Sequence, residues 1–282
     1  MKLMRKKEWS KIIIYAALVA VAFLVIFPII WAVSASLRSD EELYAYLSPA
    51  TWHTFFPVEV TTVAYQRLFR EFDFLRPMAN SMIVCVVTML LGCVVNSVAA
   101  FAFARFDFKG KKIIYGIVVI SFMIPFDTIA FPLYQIIYKM GLRNTYTGMI
   151  LPCVANGLVL FLFVQFFKDI PGEILEAARV DGASWTEIFM RIIMPLSVPV
   201  FITAGLMIFI SQWNSYLWPL LMAQTPDMQL IQIRLGIFKT EEQTIWSCIY
   251  AASVLSAVIP VLLFLPFQKY YIEGITSGGV KG

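Results

Sequence analysis

The sequence predicts an all-α integral membrane protein with six transmembrane helices, and three observations predict it. Of the 282 residues, 60% are apolar and only 14% are charged, against roughly half and a quarter in an ordinary soluble domain. The apolar residues are gathered into long runs, giving a mean hydropathy of +0.78, and six of the runs approach or exceed the ~20 residues that cross a bilayer. The Lys and Arg residues collect in alternate intervening segments, the bias that orients helices in a membrane.

The first run, 12–33, follows the basic stretch Lys2, Arg5, Lys6, Lys7 and Lys11. It is longer than the ~7–15 apolar residues of a secretory signal and no A-x-A-like end follows it, so a retained helix is expected. Segment 34–77 is the longest connection. Within it, 63–74 (VAYQRLFREFDF) alternates apolar and charged residues like a surface helix, suited either to an extracytoplasmic partner or to lying on lipid headgroups. The second run is 78–104. The third, 113–137, holds Asp127 between Pro125 and Pro132. An acid at membrane depth reads as functional, unless the prolines mark the helix end and the carboxylate simply faces water. The fourth run is 147–167 and the fifth 196–222. Segment 223–245 is too polar to span, and the last run is 246–267. Prolines inside these runs are tolerated where neighbouring helices re-satisfy the freed carbonyls.

Placing the N-terminus inside puts most of the basic residues on the cytoplasmic side, including Arg105, Lys109, Lys111, Lys112, Lys168, Arg179, Arg191, Lys269 and Lys281. Both termini and the loop 168–194 are therefore expected in the cytoplasm. The whole chain reads as one transmembrane domain, 1–282, with lipid as its surroundings and no segment composed for nucleic acid.

Catalytic constellations are missing. Gly110-Lys111-Lys112 lacks the upstream glycine and the Ser/Thr of a phosphate-binding loop, and neither G-x-S-x-G nor H-E-x-x-H occurs. His53 is the single histidine, so no multi-histidine metal site is expected. Cys85, Cys93, Cys153 and Cys248 sit inside apolar runs without C-x-x-C spacing and read as packing thiols. A transporter subunit, not an enzyme, is expected, binding no cofactor of its own. An ion-coupled secondary transporter using Asp127 is the competing class, weakened by the lack of a visible inverted repeat.

The most structured polar segment is the loop 168–194. Pro171 suits a first helical turn, and Glu173 stands near enough to that N-terminus to favour the helix dipole. Gly182 is a natural left-handed stop, and Ser184-Trp185-Thr186-Glu187 reads as a capping box that opens a second helix. A helix, a glycine corner and another helix are expected.

Glu176-Ala177-Ala178, three residues, Gly182, nine residues, Ile192, one residue, Met194-Pro195 resembles the EAA signature of ABC importer permeases, E-A-A-x3-G-x9-I-x-L-P. The departure is Met194 for leucine, a volume-conserving change. Further segments resemble the carbohydrate-uptake subfamily, of the type of the six-span maltose-system permease: Phe101 to Phe106 with Gly110-Lys111-Lys112, Pro132-Leu133-Tyr134, Gly141 to Thr145, Gly148 to Pro152, Trp213 to Leu220, and Phe267 to Gly274 with Gly278 to Gly282. Ala64 stands where relatives often carry asparagine.

The resemblance implies a type I ABC importer permease fold in a bacterial or archaeal cytoplasmic (inner) membrane. It implies as partners a second permease subunit, a different chain by the subfamily pattern, with two ATPase subunits and an extracytoplasmic sugar-binding protein. ATP and Mg are used by the ATPases and not by this chain. Segment 173–181 becomes a coupling helix, with Glu173, Glu176, Ala177, Ala178, Asp181 and Gly182 at the ATPase contact. The tail Gly278, Gly279, Lys281 and Gly282 reaches toward the ATPase dimer interface, and 223–245 probes the binding protein. For cargo, Trp213, Asn214, Tyr216 and Trp218 offer rings to stack on sugars and an amide for directional bonds, or else are packing and interfacial-belt residues. The narrower alternative is an importer of glycerol phosphodiesters or another polyol.

Overall fold

The computed structural model describes residues 2–239 and 244–277, which are helical or irregular apart from one isolated bridge, Lys239 to Thr244. In chain order the principal helices are α1 (Lys2–Ser36), α2 (Leu75–Arg105), α3 (Lys111–Ser121), α4 (Phe126–Lys139), α5 (Tyr146–Val154), α6 (Gly157–Asp169), α7 (Gly172–Val180), α8 (Val198–Trp213), α9 (Leu217–Met222) and α10 (Trp246–Ser277). Three of them, α1, α2 and α10, contain an unbroken stretch long and apolar enough to cross a membrane. Three bent pairs bring the count to six if each is one span: α3–α4 at 101°, α5–α6 at 43°, and Trp185–Leu196 with α8 at 80°.

The first two of those bends, and a stop at Asn214, are where the helices depart from the apolar runs. Run 113–137 is two helices because Pro125 has no N–H to continue α3 and sits in an extended conformation, ψ 131°, starting α4 afresh. Run 147–167 breaks between Val154 and Gly157, where the Asn156 side chain accepts from the Val159 N–H at 3.1 Å and caps α6. Run 196–222 is interrupted at Asn214, whose side chain donates back to the Ile210 carbonyl at 3.0 Å. Pro219 then falls in the first turn of α9, where a missing N–H costs nothing.

The chain forms two compact units. The first comprises residues up to Phe74 together with Leu235–Val258. Here the apolar side chains of α1 are almost all exposed, from Ile12 to Ile30, as suits a helix bathed in lipid. The connection after α1 is ordered around Arg38, whose side chain is 1% exposed. Its Nε donates to Glu42 at 2.7 Å, and its other nitrogens donate to the carbonyls of Thr54 at 3.1 Å and His53 at 2.7 Å. Burial works against the Glu42 carboxylate, but the N–H groups of Val58 and Glu59 and the Arg38 guanidinium hold its pKa below the ordinary value. Asp40 accepts from the N–H and hydroxyl of Ser247 at 3.0 and 2.8 Å and so caps the first turn of α10.

The second unit comprises Leu75–Arg234 and the chain from Ile259. Helix α2 is its spine and packs chiefly on α6, α8 and α5. Gly92 permits this closeness, since a Cβ there would lie 2.8 Å from the Ile208 side chain. The larger apolar core joins Ala100 and Phe101 of α2 to Phe163, Val164 and Phe167 of α6 and to Val200, Ala204 and Ile208 of α8. That same core takes in Leu175, Ile188 and Ile193 from the polar loop. A second core, around Val84, Met149, Trp218 and Met222, fills the other end.

Candidate functional site

Two features of the second unit could bear function: the helix-corner-helix loop and a cleft where broken helices meet. In the loop, Pro171 precedes α7 with ψ 132°, and Glu173 lies in the first turn. Only Leu175 is buried. Glu173, Glu176, Ala177 and Asp181 are exposed, whereas Ala178 is half-buried against the larger core. Of the Glu-Ala-Ala triplet, then, two residues face outward and the third anchors the helix. Beyond α7, Gly182 takes φ +88° with no atom within 4 Å of where a Cβ would stand. That left-handed residue lets the Gly182 and Ala183 N–H groups close on the Arg179 and Ala178 carbonyls at 3.1 and 2.9 Å, satisfying the orphaned end of the helix.

The second arm of the corner is locked by its own side chains. Ser184 Oγ accepts from the Glu187 N–H at 3.2 Å, and Glu187 accepts from the Ser184 N–H at 2.9 Å, a reciprocal capping box. Those bonds from Ser184 hold the Glu187 carboxylate below its ordinary pKa, with a smaller contribution from Arg191. Arg179 donates to the Ala183 carbonyl at 2.8 Å and lies over the Trp185 ring at 5.1 Å. Trp185 in turn packs edge-on against Phe106 at 4.8 Å, fixing the corner to the chain just beyond α2. At the same end Arg105 donates to the carbonyls of Phe167, in the last turn of α6, and of Ile170, its C-cap. The chain then passes through a π-helical turn, Phe189–Ile193, ahead of Pro195 and α8.

The cleft has a volume of about 560 Å³. Its walls come from the three interrupted runs: Phe126 and Asp127 at the start of α4, Cys153, Ala155 and Asn156 at the α5–α6 break, and Asn214 to Trp218 at the α8–α9 break. Irregular backbone at membrane depth is tolerated where it lines a cavity or is buried in protein, and here all three breaks line the same one. Asn96 of α2 braces the middle break. Its amide donates to the Val154 carbonyl at 2.8 Å and its oxygen accepts from the Asn156 N–H at 3.0 Å. Trp218 donates its indole N–H to the Met149 carbonyl at 3.1 Å and meets Phe126 edge-on at 5.8 Å.

Four of the five residues read as a cargo path, Asp127, Asn214, Tyr216 and Trp218, line the cleft. Trp213 does not. It stacks on Phe209 at 5.7 Å, and its carbonyl accepts from Gln232. Trp218 borders the cleft but is as deeply buried as Trp213, each 2% exposed, so it is wall and not an open ring. Sequence reading missed Asn156, Ser211, Gln212 and Ser215, although Ser211-Gln212 interrupts an apolar run and was a visible signal. Gly278, Gly279, Lys281 and Gly282 lie outside the described residues. Segment 223–234 is moored to α2 and the α4–α5 connection: Asn80 donates to the Asp227 and Gln229 carbonyls, Ser81 accepts from the Ile231 N–H, and Asn144 accepts from the Gln224 and Thr225 N–H groups.

A multi-span helical membrane protein with broken spans around a polar cleft and a structured loop exposed to partners is a transport subunit in class. Residues 92–274 match the family described as the binding-protein-dependent transport system inner membrane component, and the chain belongs to that family. It is 34% identical to the arabinooligosaccharides transport system permease protein AraQ of Halalkalibacterium halodurans, over 93% of each chain. It is 30% identical to the trehalose/maltose transport system permease protein MalG of Thermococcus litoralis, over 99% of this chain and 100% of the other. Among solved structures it resembles a chain of a bacterial ABC transporter that imports the acidic polysaccharide alginate. There the TM-score is 0.83 at 22% identity, covering 95% of this chain and 98% of the other. The protein is thus a multi-pass inner-membrane permease of an ABC import system that works with a binding protein. Family membership also sets aside the ion-coupled alternative for Asp127.

Proposed function

We propose that this chain carries a sugar or short oligosaccharide across the membrane through the cleft between its broken spans. The observation that carries the reading is the convergence of three helix interruptions on one cavity with mixed lining, exposed rings from Phe126 and Tyr216 beside the polar groups of Asn156, Gln212 and Asn214. Rings cover the apolar faces of a pyranose while amides fix its hydroxyls. Relatives named for arabinooligosaccharides, trehalose/maltose and lactose support a saccharide cargo. A relative in Agrobacterium fabrum, 29% identical and named for sulfoquinovosyl glycerol, supports the second reading, a glycerol conjugate or polyol.

In this reading a second, different permease chain completes the pathway, and an extracytoplasmic binding protein delivers cargo near 223–245. One of the two ATPase subunits docks on α7, with both termini and the loop 168–194 on the cytoplasmic side. ATP and Mg belong to those ATPases, and Gly278, Gly279, Lys281 and Gly282 reach toward their interface. The exposed face of Glu173, Glu176, Ala177 and Asp181, with Gly182 setting the angle, is the docking surface. ATP-driven closure of the ATPases then rocks the spans through the Ser184–Glu187 arm. Glu176→Lys is expected to reduce ATP-dependent uptake in proteoliposomes of the assembled importer to background while the subunit still co-purifies with the membrane. Wild-type uptake by that variant would remove α7 from the coupling path.

A further inference from the structure

Shared fold leaves cargo charge open, because the structural neighbour above imports an acidic polysaccharide. The lining of this cleft is more specific. Its residues are Phe, Pro, Cys, Ala, Asn, Ser, Gln, Tyr, Leu and Trp, with a single ionisable acid, Asp127, and no Lys, Arg or His among the described lining residues. Asp127 is solvent-exposed, in the first turn of α4. No salt bridge joins it to a cation among the described residues. The nearest basic residue in sequence is Lys139, at the opposite end of α4. A carboxylate with no counter-charge in a cleft walled by protein projects a negative potential into it, because low-dielectric walls focus the field.

We propose that Asp127 is a charge-selecting residue of the cleft, admitting neutral and cationic saccharides and opposing cargo that bears a carboxylate, sulfonate or phosphate. The inference rests on the cleft being the cargo path. It divides the candidate cargoes by charge, since glycerol phosphodiesters and sulfonated glycosides are anions and simple sugars and polyols are not. Asp127 acts by repulsion, so its removal widens selectivity without creating a contact. The amides and rings that would hold a neutral sugar are untouched by that change.

The test reads the potential directly and needs no knowledge of the cargo. In the assembled importer, with the four native cysteines replaced by serine or alanine, Ser211→Cys places one thiol in the cleft. Its modification rates by a cationic and an anionic methanethiosulfonate reagent of matched size are then compared. Taking the ratio cancels any change in thiol reactivity. A cation-to-anion preference is expected with Asp127 present, falling on the order of 10-fold with Asp127→Asn and inverting with Asp127→Lys, both effects shrinking as salt rises. Asp127→Glu is expected to retain the preference. A thiol that reacts with both reagents but shows an unchanged ratio in Asp127→Asn overturns the selecting role. A thiol that reacts with neither reagent in any nucleotide state instead shows that the cleft is not a water-filled path, and the reading beneath the proposal fails with it.

Discussion

The corner at Gly182 and the break at Val154–Gly157 both interrupt a helix, yet they are held in opposite ways. At the corner every stabilising bond spans five residues or fewer: Gly182 to Arg179, Ala183 to Ala178, Ser184 to Glu187, Arg179 to Ala183. At the break the freed groups are met from far along the chain, by Asn96 reaching Val154 and Asn156 from α2. A locally held interruption is free to stand clear of the protein and present a surface. One held by a neighbouring helix is tied to that helix, and its geometry changes only when the neighbour moves. The first kind suits docking and the second suits the wall of a pathway.

Breaking the long-range brace has the largest expected effect. Asn96→Leu keeps the branched outline and heavy-atom count, with bulkier methyl groups, but strands the Val154 carbonyl and the Asn156 N–H, which predicts a loss of about 3 kcal/mol. It should appear as a lower thermal unfolding midpoint of the purified protein in detergent, and a midpoint within a degree of wild type would show that water or lipid replaces the amide. Gly182→Val comes next. Space is open there, so the cost is torsional, at least the ~1–2 kcal/mol of a left-handed L-residue. Uptake is expected to collapse while the unfolding midpoint falls less than in Asn96→Leu, because torsional strain is added but no buried contact is lost; a midpoint lowered as far as in Asn96→Leu would make the corner a packing element. Ser184→Ala has the smallest effect, about 1 kcal/mol of local helix stability, read as faster amide exchange in the first turn after the corner.

The same box carries a pH signature. Because folding lowers the Glu187 pKa, its contribution is present above the ordinary carboxylate value of 4.5 and is lost as pH falls through the lower folded value. Amide exchange at Ser184, whose N–H donates to that carboxylate, should therefore lose protection in that acidic window once corrected for its intrinsic pH dependence, and Glu187→Gln should abolish the step.

This contrast also explains how much could be read from the sequence. The corner was legible in detail, since Pro171, Gly182 and the Ser184–Glu187 spacing act within one or two turns. The six apolar runs were legible as runs, but not the 101° bend at Pro125 or the stop at Asn214, because proline inside an apolar run is compatible with both a kink and a break. The cleft was legible only in outline. Trp213 and Trp218 belong to one short motif, and nothing local says that one stacks inward on Phe209 while the other borders the cavity. Nor does local pattern reveal that Asn96 and Asn156, 60 residues apart, are hydrogen-bonded.

No neighbouring atom lies within 4 Å of the place a Cβ would occupy at Gly182. The bend itself is therefore written in one backbone torsion and the short bonds around it, while Leu175 and Ile188 seat the two arms on the core. A docking surface of that kind is preorganised: its conformational entropy is lost once, at folding, and not again at each encounter with a partner. In a machine that must engage and release with every turnover, such a rigid handle transmits displacement without first absorbing it.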